Sequence, residues 1–257
     1  MAVSLASTQP PQFLQLLSHA LRWHLVTALA RSDHHVQELV QFLGQPQNLV
    51  SYHLKRLRTE RLVTERRSTA DRRDVYYRLD LDRLRELYLT TGEAIHPGLG
   101  AVSPQSDPVA QRTVGSPTRV LFLCTHNSAR SQLAEGILRQ LGGNRVEVYS
   151  AGSEPSSVHP EAVRVLTSVG IDPSQQRAKH LDQYCGQPFD YIITVCDRVR
   201  ETCPVFPGDP ERIHWSFPDP AVVENDEERR RAFNQTAQQL ITRIRYLLTL
   251  IERSRRQ

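Results

Sequence analysis

The first 123 residues contain no cysteine, and the whole chain has four: Cys124, Cys185, Cys196 and Cys203. So sparse and one-sided a set excludes a disulfide framework. It fits a reducing compartment, where thiols serve redox or catalytic chemistry. Also missing is any apolar run of about 18 residues, which excludes a membrane-spanning helix. The opening Met1 to Pro10 lacks the basic n-region and apolar core of a secretory signal, so a cytoplasmic location is expected. Charge of one sign is not in large excess either, at +4 over 257 residues. With 39% hydrophobic and 23% charged residues the chain reads as globular protein without a membrane partner, long enough for two modest domains.

What is present centres on Val120 to Ser131. Val120-Leu-Phe-Leu-Cys124 is the apolar run of a short buried strand, and Gln132 to Leu141 has apolar positions at helical spacing. A loop from a strand end to a helix N-terminus aims several backbone N–H groups at one point, where the helix dipole adds positive charge. Thr125, His126, Asn127, Ser128, Ala129, Arg130 and Ser131 are therefore the expected oxyanion-binding residues. Cys124 lies beneath the anion as a nucleophile whose pKa that field should lower, and Arg130 grips two of the anion's oxygens. Ser131 can hydrogen-bond the thiolate and Asn127 can brace the loop.

Further along, Val146–Ser150, Tyr191–Val195 and Arg212–Trp215 read as strands, Pro160–Val169 and Asp226–Arg253 as helices. Alternation of this kind implies an α/β doubly wound parallel sheet, with ligands at the carboxyl ends of the strands. Cys124, Cys196 and the stretch after Trp215 all follow strand ends and so converge. Asp219, stiffened by Pro218 and Pro220, is the candidate general acid. Cys196 and Cys203, with six residues between them, are candidates for redox chemistry, since reduction takes two electrons that thiols can supply. Cys185 fits no pattern and is read as structural.

The run Cys-Thr-His-Asn-Ser-Ala-Arg-Ser, with Val148 to Gly152, Thr194-Val-Cys196 and Asp219-Pro-Ala221, resembles low-molecular-weight protein tyrosine phosphatases and the arsenate reductases that share their fold. His126 stands where that family usually has Gly. The resemblance implies catalytic roles for Cys124, Arg130 and Asp219. It also implies a relay in which Cys196 attacks Cys124 and Cys203 attacks Cys196, with thioredoxin as external reductant and no tightly bound cofactor. Ala221 stands where phosphatases of this fold usually place a Tyr that stacks on the substrate ring, which favours a small oxyanion, arsenate or phosphate. The family's potassium ion would use Asn127, Glu135 and Ser150, but its Asp ligand is His180 here. The alternatives are a phosphomonoesterase and a non-catalytic oxyanion sensor.

The N-terminal half reads as helices over Gln12–Leu17, Ala20–Ala30 and His34–Leu43, the last capped by Ser32 or Asp33 and ended by Gly44. A further helix runs from Gln47 to Arg58, with Pro46 at its first position. Alternating segments Leu62–Arg67 and Asp74–Leu79 make a hairpin, and Leu81–Ile95 is again helical. The order is that of a mostly α winged helix-turn-helix with a β-hairpin wing. Its recognition helix buries Val50, Leu54 and Leu57, and offers Gln47, Asn48, Ser51, Tyr52 and Lys55 to a major groove. Nine basic residues against four acids between Lys55 and Arg78 leave a surplus of +5. Wing residues Arg66, Arg67, Arg72 and Arg73 are placed for phosphates of a double-stranded DNA operator.

Gln45 to Leu57 resembles the recognition helix of the arsenic-repressor family, which implies a homodimer that leaves DNA when a metal or metalloid binds. Unlike members with thiol sensors, this chain has no cysteine in that domain; His34, His35 and His96 could offer metal ligands in principle. No metal site is assigned. The expected organisation is a DNA-binding domain over 1–96, a flexible Pro/Gly/Ser linker over 97–118 and a phosphatase-like arsenate reductase domain over 119–257.

Overall fold

The computed structural model of the chain describes residues 10–71, 73–96, 99 and 116–254, with Thr202 described by its backbone alone. Nearly all of the expected tail and linker lie outside the described residues. The chain divides into two compact units. One holds the N-terminal part up to Arg66 and from Val75 onward; the other holds Arg67–Asp74 and the C-terminal half.

In the first unit, α1 (Gln12–Leu17), α2 (Ala20–Leu29), α3 (Val36–Leu43), α4 (Gln47–Thr59) and α5 (Leu81–Ile95) accompany a sheet of order β1-β3-β2. The strands are β1 (His34–His35), β2 (Val63–Arg67) and β3 (Val75–Leu79). Leu25 from α2, Leu39 from α3, and Val50, Leu54 and Leu57 from α4 form the core, each at most 1% exposed. Three local expectations are corrected. His34 and His35 are not helical; they pair with Tyr77 and Tyr76 of β3. The cap of α3 is His35, whose ring accepts the Glu38 N–H while Glu38 accepts the His35 N–H, a reciprocal capping box. Asp33 cannot cap, because it is fully buried and paired with Arg78 at 3.3 Å. Pro46 is the N-cap of α4 rather than its first helical residue. Arg78, counted above in the basic surplus, is thereby turned inward.

The second unit carries a four-stranded sheet of order β5-β4-β6-β7, parallel throughout, from β4 (Thr118–Cys124), β5 (Val146–Gly152), β6 (Tyr191–Thr194) and β7 (Glu211–His214). Its helices are α6 (Arg130–Gly142), α7 (Pro160–Ser168), α8 (Asp197–Thr202) and α9 (Asp226–Ser254). Val120 to Leu123 are all 0% exposed, so β4 is an unbroken apolar run, as a central strand covered on both faces must be. The chain leaves β4 for β5 on one side, then crosses to β6 on the other. Right-handed crossovers put α6 and α8 on opposite faces, and the reversal opens a crevice at the C-terminal end of β4. Cys124, Gly152, Thr194 and His214 end their strands along that one edge.

Candidate active site

Cys124 ends β4 and is 2% exposed. Its Sγ lies 2.9 Å from Ser131 Oγ and accepts the Asn127 N–H at 3.1 Å. Asn127 is fully buried with φ at 45°, a left-handed backbone that asparagine tolerates better than most residues. Its side chain holds the loop in place, with Nδ2 donating to Ser131 Oγ and Ser150 Oγ, each at 2.8 Å.

The loop is also tied from behind. Carbonyls of Cys124, Thr125, His126 and Ser128 accept the N–H groups of Ser153, Glu154, Ser156 and His159. With those oxygens engaged away from the thiol, the Asn127 N–H points to Cys124 Sγ, the direction an anion site above that sulfur requires. The exposed ring of His126 turns to the Glu154 carbonyl, 3.1 Å away. Gly152 allows the close approach. A Cβ there would stand 2.4 Å from Thr125 O and 2.8 Å from the Asn127 nitrogen.

Arg130 opens α6 and is 5% exposed. Its Nη1 donates to Phe217 O at 3.1 Å and its Nη2 to Asp219 Oδ2 at 2.5 Å. Asp219, whose other oxygen accepts the Ala221 N–H at 3.1 Å, therefore faces the loop, as expected of its Pro-flanked turn. Ala221 follows Pro220 in a short 3-10 turn and offers no ring at that wall.

Cys196, also 2% exposed, directly adjoins the loop: its Sγ is 3.4 Å from Thr125 Oγ1. Cys203 is half-buried at the far end of α8, and Cys185 is exposed. All four thiols are free. The expectation of a depressed Cys124 pKa is not met in this state. Burial pushes the thiol up and the nearby Cys196 adds to it; Arg130, the Ser131 hydroxyl and the Asn127 N–H pull the other way without prevailing. Arg130 is turned to Asp219 here, so part of its charge is already matched. Burial likewise raises Cys203.

Residue reading missed several members of this site. Gln132, fully buried, donates through Nε2 to Asn127 O and Oδ1, each at 3.0 Å, and to Arg177 O at 2.8 Å. The Lys179 N–H reaches Asn127 Oδ1 at 2.8 Å. Gln132, one residue past the loop, was the one signal within reach of the sequence; only the fold brings Arg177 and Lys179 to the site.

In the first unit, Gln47, Asn48, Ser51, Tyr52 and Lys55 are all exposed on α4. Arg67 is exposed, Arg66 half-buried, and Arg73 chelates Asp71 at 2.8 Å; Arg72 lies outside the described residues. His34 and His35 both turn toward Glu38, at 3.4 and 3.7 Å. Among the described residues no group of three or more His, Cys, Asp or Glu is placed to hold a metal, and no helix is long and apolar enough to cross a membrane.

Comparison with known proteins divides along the same line. The MarR family matches residues 17–74, and the low molecular weight phosphotyrosine protein phosphatase family matches residues 119–257. An arsenate reductase of Halalkalibacterium halodurans is 41% identical over 127 residues, 49% of this chain and 91% of its own length. One from Bacillus subtilis is 41% identical over 116 residues, 45% of this chain and 84% of its own. The solved structure of a thioredoxin-dependent arsenate reductase of Corynebacterium glutamicum is 26% identical, covering 90% of this chain and 98% of that one, with a TM-score of 0.43. Behind a MarR-type N-terminal region, and with arsenate reductases among its relatives, the chain belongs through more than half its length to the low molecular weight phosphotyrosine protein phosphatase family.

Proposed function

We propose that the C-terminal half reduces arsenate to arsenite and that the N-terminal half binds operator DNA as a homodimer. The observation that carries the first part is the second buried thiol: Cys196 adjoins the nucleophile loop, 3.4 Å from Thr125, a position phosphoester hydrolysis does not need. Arsenate seats in the loop 124–130 and takes Arg130 from Asp219. Cys124 Sγ, as thiolate, bonds to arsenic, and the displaced hydroxide leaves as water with the proton of Asp219. Cys196 then attacks Cys124 Sγ. An S–S bond forms, the S–As bond breaks with its electron pair left on arsenic, and arsenite departs. Cys203 attacks Cys196, freeing Cys124 as a thiol, and a thioredoxin-class dithiol reduces the Cys196–Cys203 bond.

The geometry sets one demand on this relay. Cys196 and Cys203 flank α8, and seven steps of helix span about 10 Å. A disulfide needs Cα atoms within about 7 Å, so α8 must unwind for the last exchange.

For the N-terminal half, the supporting observation is the division of α4 into a buried apolar face and an exposed face of Gln47, Asn48, Ser51, Tyr52 and Lys55. The homodimer and the wing contacts of Arg66, Arg67, Arg72 and Arg73 belong to the same proposal.

The test is steady-state turnover of arsenate with thioredoxin and its reductase, set against hydrolysis of p-nitrophenyl phosphate without reductant. Arsenate turnover should dominate. Cys203→Ser should release one arsenite per chain and then stop, with Cys124 joined to Cys196. Undiminished multiple turnover in Cys203→Ser removes that thiol from the relay. Hydrolysis without arsenate turnover replaces the reading by a phosphatase, and neither activity leaves an oxyanion sensor.

A further inference from the structure

The hydrogen bonds that hold Asn127 do not end at Ser150. Ser150 Oγ donates onward to Glu135 Oε2, and Glu135 is only 4% exposed. A carboxylate at that depth needs a counter-charge. It has one in Lys179, itself 7% exposed, whose Nζ donates to the same Oε2 at 3.1 Å and to Arg177 O at 3.0 Å. Arg139 Nη2 meets Oε1 and also reaches Val148 O at 3.1 Å. Lys179 thus holds the loop twice. Its backbone N–H takes Asn127 Oδ1, and its ammonium fixes Glu135, which orients Ser150, which receives Asn127 Nδ2.

The potassium ion that the family resemblance implies does not fit these residues. The oxygens of Asn127, Glu135 and Ser150 that it would take are already engaged by protein donors: Asn127 Oδ1 by Gln132 and Lys179, Glu135 Oε2 by Lys179 and Ser150, and Ser150 Oγ by Asn127. One carboxylate faces two fixed positive groups, so the cluster carries a surplus of positive charge before any ion enters. His180, where the family has its Asp ligand, instead accepts the Asp182 N–H at 3.2 Å.

We infer that Lys179 is a positioning residue of the nucleophile loop, a built-in ammonium that makes the loop independent of dissolved potassium. Its effect on turnover rests on the reductase reading; its effect on the loop does not. The connection runs from the ammonium through Glu135, Ser150 and Asn127 to Ser131 and Cys124, each a hydrogen-bonded contact between buried groups. Truncating the lysine would leave the Glu135 carboxylate, the Ser150 hydroxyl and the Arg177 carbonyl around a vacated space, an oxygen-rich set suited to a hard cation.

The experiment uses the full chain in potassium, sodium and N-methylglucamine chlorides at equal ionic strength. Two quantities are read: the melting temperature, and phosphate affinity from protection of Cys124 against iodoacetamide. Wild type should give the same values in all three salts. Lys179→Ala should melt lower and bind phosphate about tenfold more weakly in sodium and N-methylglucamine, and should recover selectively in potassium or ammonium. Lys179→Arg, which keeps the charge, should stay indifferent to the salt. If Lys179→Ala does not fold, Lys179→Gln carries the same expectation of a potassium-selective gain. A wild type that melts higher or binds phosphate tighter in potassium than in sodium overturns the inference, because an ion then binds beside the lysine. Equal losses in all three salts for the truncated variant overturn it too, since Lys179 is then only an ion-pair partner. Failure of arsenate turnover would sink the reductase reading and leave these curves untouched.

Discussion

On α4 the residues proposed to face DNA are exposed side chains, Gln47, Asn48, Ser51, Tyr52 and Lys55, standing on a buried face of Val50, Leu54 and Leu57. At the loop 124–130 the arrangement is inverted. There the presented groups are backbone N–H groups, and side chains do the holding: Asn127, Ser131, Gln132 and Ser150 are all 0% exposed. A surface reader of the first kind can change one contact and keep its frame, because solvent replaces what is lost. A buried cradle of the second kind cannot, because each removed partner leaves another polar group unsatisfied at depth.

The widest gap between the two regions should appear with Cys124→Ser. It should lower arsenate turnover, and any phosphoester hydrolysis, by about ten-thousandfold or more. Operator affinity in gel shifts should move by less than tenfold, about 1.4 kcal/mol. A larger shift would mean that the nucleophile loop is felt at the DNA and that the two regions are not separate devices.

Next in size is Gly152→Ala. Its Cβ would crowd Thr125 O and the Asn127 nitrogen, both backbone atoms. The variant should lose about 1–3 kcal/mol in urea unfolding, as overpacked sites do, along with most phosphate binding. Wild-type stability would show the loop to be as forgiving as the surface helix.

The exposed region should answer in smaller, additive steps. Arg66→Ala and Arg67→Ala should each reduce the salt slope of DNA binding by about 1, with sequence preference kept. Gln47→Ala should instead blur preference at unchanged slope.

The smallest effect concerns pH. His159 caps α7 by accepting the Glu161 N–H at 3.1 Å, and burial, assisted by Arg229, holds its pKa below the ordinary histidine value. The cap's stability is therefore fully present above that ordinary value, and is lost as pH falls through the lowered one. His159→Asn keeps an acceptor that does not titrate, so the acid limb of a stability–pH curve should flatten by about 1 kcal/mol.

These differences also govern how much could be read from residues alone. Periodicity located α5 at Leu81–Ile95 and the strand before Cys124, because apolar spacing reports burial directly. Cys124, Arg130, Asp219 and Cys196 were legible as candidates through residue chemistry and strand-end positions, and the fold brings them together. Lys179, Gln132 and Gly152 were not legible as a set, since their roles arise only when β5 and the segment before His180 meet the loop. Histidine caps were missed for another reason. His19, His35, His159 and His180 each accept a helix N–H, but histidine is outside the residues by which helix starts are recognised. The thiol pKa was read from the helix dipole and Arg130, which leave out the cost of burying charge.

The tie between the loop's carbonyls and residues 153–159 bears on transplanting the site into another scaffold. Cys124 to Ser131 alone would be a poor graft, because a host supplying only a strand and a helix leaves four carbonyls without donors and Asn127 without a seat. The smallest portable piece runs from β4 through the start of α7, and it must bring along the short stretch around Arg177 and Lys179. As a module for engineering, the loop is therefore a third of the C-terminal unit rather than eight residues, and its inheritance should follow that larger block.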